Sequence, residues 1–487
     1  LSVGKRKIKI DLMHKMPASP ALFALWLTLV AVTPLWIIDP SSYAIYSDLN
    51  RQFQTAVALY QTQQYDQARQ VLERLLRQAP DSFEMNELMG LICTGQHKAS
   101  QANFYFTKAV HLQPQSGQAH TYLAANLVDL GQNERAEIEF KRAVRLEPAS
   151  YEANHNLGEF YIRIRKLAAA ITYLKKAQQI QPSAYNNGYD LALAEIKTRQ
   201  YADAKTEIRN LQTYHDSAEL HSLLATIYEK TGQYIQAAKE YELAAHMDPS
   251  EQNIFDWGSE LLLHHTLEPA TQVFAKGVQL YPRSVRLQIG LGIALYSRTH
   301  YQEAIDAFCH AIDLNPKDPR PYVFLGRIYD VSPLQAEAVT RRFARFAQLQ
   351  PRNPQALYYY ALSLWKGART QTRPIDLQQV EKLLERAVLI DPAFADAHFQ
   401  LGTFYAQQRR YPAAIEQYQR AIQLQPTLAD AHYRLGEALA RTGKKDQAQQ
   451  QFRIFSQLHA QQVKDREKQR SEIMQFVYTM KPTGKNP

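Results

Sequence analysis

The sequence predicts an all-α chain, a solenoid of antiparallel helix pairs, and three observations carry that expectation. A stretch of 34 residues recurs along most of the 487-residue chain. Within each stretch, apolar and small residues fall at three- and four-residue spacing on both sides of a short polar turn, the pattern of two amphipathic helices set back to back. A proline closes almost every stretch, at Pro80, Pro114, Pro148, Pro182, Pro249, Pro282, Pro316, Pro351, Pro392 and Pro426, with Asp216 in the one gap. Proline there stops the second helix and lets the chain reverse.

The clearest copy runs from Ala395 to Pro426, with Leu401-Gly402, Tyr405, Ala414, Tyr418 and Ala421 at fixed offsets. The next repeats the layout with Leu435-Gly436, Leu439, Ala448 and Phe452. A small residue in the eighth place, Ala in the twentieth, an aromatic in the twenty-fourth, Ala in the twenty-seventh and Pro last: this resembles the tetratricopeptide repeat. The resemblance implies a right-handed α-solenoid, a superhelix in which the first helix of each pair lines a concave groove. It also implies that the second, fifth, sixth, ninth, twelfth and thirteenth places of that helix face the groove.

Taken in order, residues 1–20 form a basic N-terminal segment containing Lys5, Arg6, Lys7, Lys9 and Lys15. Residues 21–38 are an uncharged apolar run just long enough to cross a bilayer as a helix. The basic flank sets its N-terminal side in the cytoplasm and puts the repeats on the extracytoplasmic side. The run reads either as a retained membrane anchor or as the h-region of a signal peptide, cleaved after Ser42-Tyr43-Ala44 to leave a secreted or periplasmic product. Residues 39–48 read as a linker. From 49 to 460 come twelve repeats, the second to fourth regular, with Gly90, Ala124 and Gly158 in the eighth place. The fifth lacks its proline and has Leu211 where Ala is usual. The ninth slips by one residue at Val331-Ser332-Pro333, and the tenth carries an insertion over Gly367–Asp376. The twelfth has no closing proline, so its second helix is expected to continue as a C-terminal capping helix over 461–480, with a flexible tail at 481–487.

No catalytic constellation stands out: no His-Glu-x-x-His, no Cys-x-x-Cys, no glycine-rich phosphate loop and no Gly-x-Ser-x-Gly. The chain reads as non-enzymatic, with no cofactor and no metal. His120, His221, His398 and His432 occupy one place in four repeats, but no carboxylate or thiol accompanies them consistently, so they read as packed residues. Cys93 and Cys309 lie six repeats apart among apolar neighbours and read the same way.

The groove places carry the functional signal. They are polar in repeats three to six and turn apolar and aromatic from seven to ten, at Phe255, Ile289, Ile293, Tyr296, Val323, Phe324, Tyr358, Tyr359 and Trp365. Aromatics that no core requires are typical interface anchors. Residues 319–374 hold nine cations, among them Arg327, Arg341, Arg342 and Arg345, against two acids; this segment supplies +7 of the chain's net +9. Phe255, Ile289, Tyr296, Phe324, Arg327, Tyr358, Tyr359, Trp365, Arg341, Arg342 and Arg345 are therefore the expected partner-binding residues. The expected partner is another protein, a peptide or helix with acidic character that the Arg forks grip. Nucleic acid is not expected, since no nucleic-acid fold is present, and a homo-oligomer stays open. The alternative function is a substrate-presenting arm of an envelope-polymer or glycan assembly pathway.

Overall fold

The computed structural model describes residues 40–331, 335–367 and 376–461. Among them are twenty-three helices from Pro40–Gln61 to Ala429–Arg441, a further helical run over 445–461, and no strand. They fall into twelve consecutive pairs, as the spacing predicts. Residues up to Asp216 form one compact unit with repeats one to five; those from Ser217 form a second with repeats six to twelve.

Each junction is built from a few recurrent devices. Ser82, Ser116 and Ser150 in the first unit, and Ser217, Ser250 and Ser284 in the second, cap the first helices by accepting a backbone N–H three residues on. The eighth-place glycine meets the twenty-fourth-place aromatic. A Cβ on Gly90 would stand 2.5 Å from the Phe106 ring, so only glycine lets that ring reach the helix backbone. The short turn between paired helices contains one residue in the left-handed region, a non-glycine in most repeats, such as Arg165 at φ 62° and Arg409 at φ 61°.

The fourth place explains the histidines. His120, His398 and His432 donate from Nε2 to the carbonyls of Pro114, Pro392 and Pro426 at 3.0–3.2 Å. Asn86, Asn154 and Tyr322 make the same bond to Pro80, Pro148 and Pro316. Each histidine, His221 included, also engages through Nδ1 the residue nineteen positions on: Glu139, Glu240, Gln417 or Gln451. The histidines thus tie the first helix to its own second helix and, in three cases, to the preceding proline, where a free carbonyl otherwise needs a donor.

Repeat five keeps its pairing despite its irregular sequence. Leu211 is buried, and the space for it comes from Gly188, whose Cβ would lie 2.7 Å from the leucine methyl. The boundary between the two compact units falls at Asp216, where the closing proline is missing. One expectation changes at the N-terminus. Residues 40–48, read as linker, are helical: Pro40–Gln61 has 22 residues where other first helices have 12 to 14. The apolar run 21–38 lies outside the described residues, and no described helix is long and apolar enough to cross a membrane. The C-terminal segments 462–480 and 481–487 and most of the insertion in repeat ten also lie outside them.

Candidate partner-binding face

Consecutive first helices of repeats seven to ten pack against one another, and so do those of eleven and twelve. Between repeats ten and eleven the junction is made by Tyr358 against Phe394 and Trp365 against Phe404. At one end, half-buried Phe255 lies edge-on to buried Phe274 with centroids 6.2 Å apart, and the Arg286 guanidinium sits 5.1 Å from its ring. Arg286 is fixed by Glu251 Oε1 and Gln252 Oε1, each at 2.6 Å, and the Ser284 hydroxyl donates to the same Glu251 oxygen at 2.6 Å. The Ser284 bond, with Arg286 beside it, holds the Glu251 carboxyl below its ordinary range.

In repeat nine, half-buried Phe324 stacks on Phe308 with centroids 5.6 Å apart and planes 6° off parallel. Arg327 lies over the outer side of the same residue, 5.7 Å from the ring centroid. It is exposed and makes no ion pair among the described residues. Next to it, Gly326 has no side chain because Tyr359 fills the place: a Cβ there would stand 2.2 Å from that ring. Ile293, Tyr296 and Val323 continue the strip, each partly buried against the core. Beyond repeat ten come exposed Asp396, half-buried Phe399, and exposed Asp430 and Tyr433. The surrounding protein pushes the Asp396 carboxyl above its ordinary range, and Arg327 opposes the shift.

The expected site residues divide into three groups. Phe255, Tyr296, Phe324 and Arg327 lie on this face with surface to spare. Ile289, Tyr358, Tyr359 and Trp365 do not: they are 8–9% exposed and belong to the core. Tyr359 stacks near Phe343, Tyr358 is covered by Phe394 at 5.0 Å, and Trp365 meets Phe404 edge-on at 5.3 Å. Burial pushes the Tyr359 hydroxyl up to about 12, so it is a packing residue. Arg341, Arg342 and Arg345 form the third group. They sit on the second helix of repeat nine, Ala336–Leu349, away from the aromatic row. Arg342 pairs there with Asp313 at 2.5 Å and Arg341 approaches Glu337 at 3.8 Å, while Arg345 is exposed. These three arginines lie on a second helix, whereas Phe324 and Arg327 lie on the first helix of the same repeat. Asp396, Phe399 and Asp430 were not among the expected residues. Reading the second and fifth places down every repeat, acids included, would have found them.

Among the described residues no group of three or more His, Cys, Asp or Glu is placed to hold a metal ion. Cys93 and Cys309 are buried as expected, and burial raises both thiols, Cys309 to about 11.

Family models for this repeat match at several places. A TPR repeat model covers residues 404–443, one tetratricopeptide repeat model covers 123–185 and 189–251, and another covers 52–82 and 430–461. The chain carries tetratricopeptide repeats. One curated relative, the probable UDP-N-acetylglucosamine–peptide N-acetylglucosaminyltransferase SPINDLY of Hordeum vulgare, is 26% identical over 171 residues. That match takes in 33% of this chain and 18% of the relative, so the tetratricopeptide chain spans under a fifth of that protein. Similar solved structures include the Cut9–Hcn1 hetero-tetramer of the APC/C (13% identity, TM-score 0.38, covering 89% of this chain and 98% of that one). Yeast Tom70 is 14% identical with TM-score 0.36, over 81% and 96% of the two chains. YrrB, described as a TPR protein with an unusual peptide-binding site, is 18% identical with TM-score 0.32, over 37% and 95%.

Proposed function

We propose that the chain is a non-catalytic scaffold that holds a segment of another protein, extended or helical, along the first-helix face of repeats seven to twelve. The observation that supports this is the strip Phe255, Ile293, Tyr296, Val323, Phe324 and Phe399, half-buried from beneath and open above. Such side chains are already ordered by the core, so docking costs little further side-chain entropy and covers their remaining apolar area at about 25 cal/mol per Å². Crosslinking mass spectrometry in the native host, comparing wild type with Phe255→Ala/Phe324→Ala, tests it. A partner crosslinked between residues 251 and 331 and lost in the double variant is the expected result. If a correctly folded variant keeps every crosslink, the working surface is elsewhere.

The same proposal holds the repeats at a membrane or exports them, supported by the uncharged run 21–38 behind a basic flank. Carbonate extraction and N-terminal sequencing of the mature protein separate a retained anchor from a cleaved signal. A second reading, the substrate-presenting arm of a glycan or glycosyl-transfer pathway, draws on the likeness to the SPINDLY protein. Retention on immobilised saccharide, lost in the Phe255→Ala/Phe324→Ala variant, would favour it over the protein scaffold.

A further inference from the structure

Charge is not spread evenly along this face. From repeat eight to repeat twelve the second place reads Arg286, Arg320, Gln355, Asp396, Asp430: basic, neutral, then acidic. The two arginines are partly spent within the fold, Arg286 on Glu251 and Arg320 on both oxygens of Asp318. In repeat nine Arg327 is exposed, stacked on Phe324 and without an ion pair among the described residues. At the other end Asp396 and Asp430 are exposed and likewise unpaired among them. Both stand in the first turn of a helix, where the helix dipole welcomes an acid. That explains how they are tolerated there, even though burial raises the Asp396 carboxyl.

Arg327 and Asp396 flank repeat ten. The arginine still moves the Asp396 carboxyl downward, yet the two form no ion pair. Between them the surface is the closed core of Tyr358 and Tyr359, so a ligand crossing it meets opposite charges at its two ends.

Resting on the scaffold reading above, we propose that this face selects a charge-split peptide and fixes its direction. The acidic end lies over repeat nine at Arg327, the basic end over repeats eleven and twelve at Asp396 and Asp430, and apolar residues between them cover Phe324 and Phe399. Packed helices stand about 8–10 Å apart, so three steps span about 25–30 Å, the reach of an extended segment of about eight residues. A uniformly acidic segment gains Arg327 and is repelled by two aspartates; a uniformly basic one meets the reverse. Electrostatic complementarity of this kind sets register and rejects wrong partners more than it adds affinity.

The test uses the full chain and three synthetic ten-residue peptides sharing one Leu/Phe centre: charge-split, all-acidic and all-basic. Fluorescence anisotropy is expected to show the charge-split peptide binding about tenfold more tightly than either other at low salt, with the advantage shrinking in high salt. A benzophenone at its acidic end is expected to label residues 320–331. In Arg327→Glu/Asp396→Lys/Asp430→Lys, all surface changes, the same label is expected to move to residues 395–441. Equal affinities for the three peptides, or a label that stays put on charge reversal, would overturn the proposal. Native-partner crosslinks separate the two levels. Crosslinks on this face that ignore the charge reversal sink the polarity alone, and crosslinks confined to another face sink the scaffold site with it.

Discussion

Glu87→Gln in the first unit is the substitution whose outcome the structure fixes most tightly. Glu87 lies in the first helix of repeat two, 6% exposed, with Oε1 enclosed and without a hydrogen-bond partner. Burial, with Glu84 adding repulsion, pushes its carboxyl up to about 7 from an ordinary 4.5. Between those two values the folded chain keeps a proton that the unfolded chain has released. Stability therefore falls as pH rises through this window, and the contribution is intact only below it. The gap between 4.5 and about 7 sets a ceiling of roughly 3 kcal/mol above pH 7. Glutamine keeps the shape and removes the charge. Repeat arrays open locally, so hydrogen exchange of residues 83–112 at pH 5 and pH 8, corrected for intrinsic rates, is the suitable assay. Wild type should lose about ten- to a hundredfold of its protection between the two, and the variant should lose little. A variant that keeps the wild-type pH dependence, or is less protected than wild type at pH 8, refutes the reasoning.

Other substitutions separate packing from contact. Trp365→Ala should cost about 3–5 kcal/mol, as deletion of a buried aromatic does, while half-buried Phe324→Ala costs about half that; thermal melts followed by circular dichroism check both. His120→Ala should cost about 2–3 kcal/mol, because it strands the Pro114 carbonyl and Glu139 together. His120→Asn should recover part of that loss, since Asn86 and Asn154 already make the proline bond at the same place, and urea titration reads the difference. Arg409→Gly, at φ 61°, should raise stability by about 0.5–1 kcal/mol by relieving a left-handed side-chain position. An unchanged or lower melting temperature would count against that strain.

The fold was legible because the repeat states it many times over. Each closing proline, each eighth-place glycine and each twenty-fourth-place aromatic is a separate vote for the same pair of helices, and one irregular copy cannot outvote the rest. Even repeat five, with Leu211 too large for its place, carries its compensation in the sequence as Gly188. The extra helix over residues 40–48 was not legible, since a polar stretch behind an apolar run looks like a connection until its helical hydrogen bonds are known.

The candidate face was half legible, for a physical reason visible at repeats nine and ten. The fifth and sixth places are the same in every copy, yet Phe324 keeps an open side and Tyr359 does not. Which one is free depends on the neighbour. Gly326 leaves a socket that the Tyr359 ring fills, and Phe394 closes over Tyr358 from the following repeat. A period of 34 residues fixes where a side chain starts; the volumes on the two adjoining repeats decide whether it ends in the core or at the surface. The arginines failed for a related reason. Arg341 and Arg342 are close to Arg327 in sequence but sit on the second helix, where Asp313 is within reach of Arg342. Nearness along a solenoid chain is a poor guide to a shared face, whereas equal places in successive repeats are a good one. That is why the proposal rests on Arg327, Asp396 and Asp430, far apart in sequence, and not on the denser basic cluster.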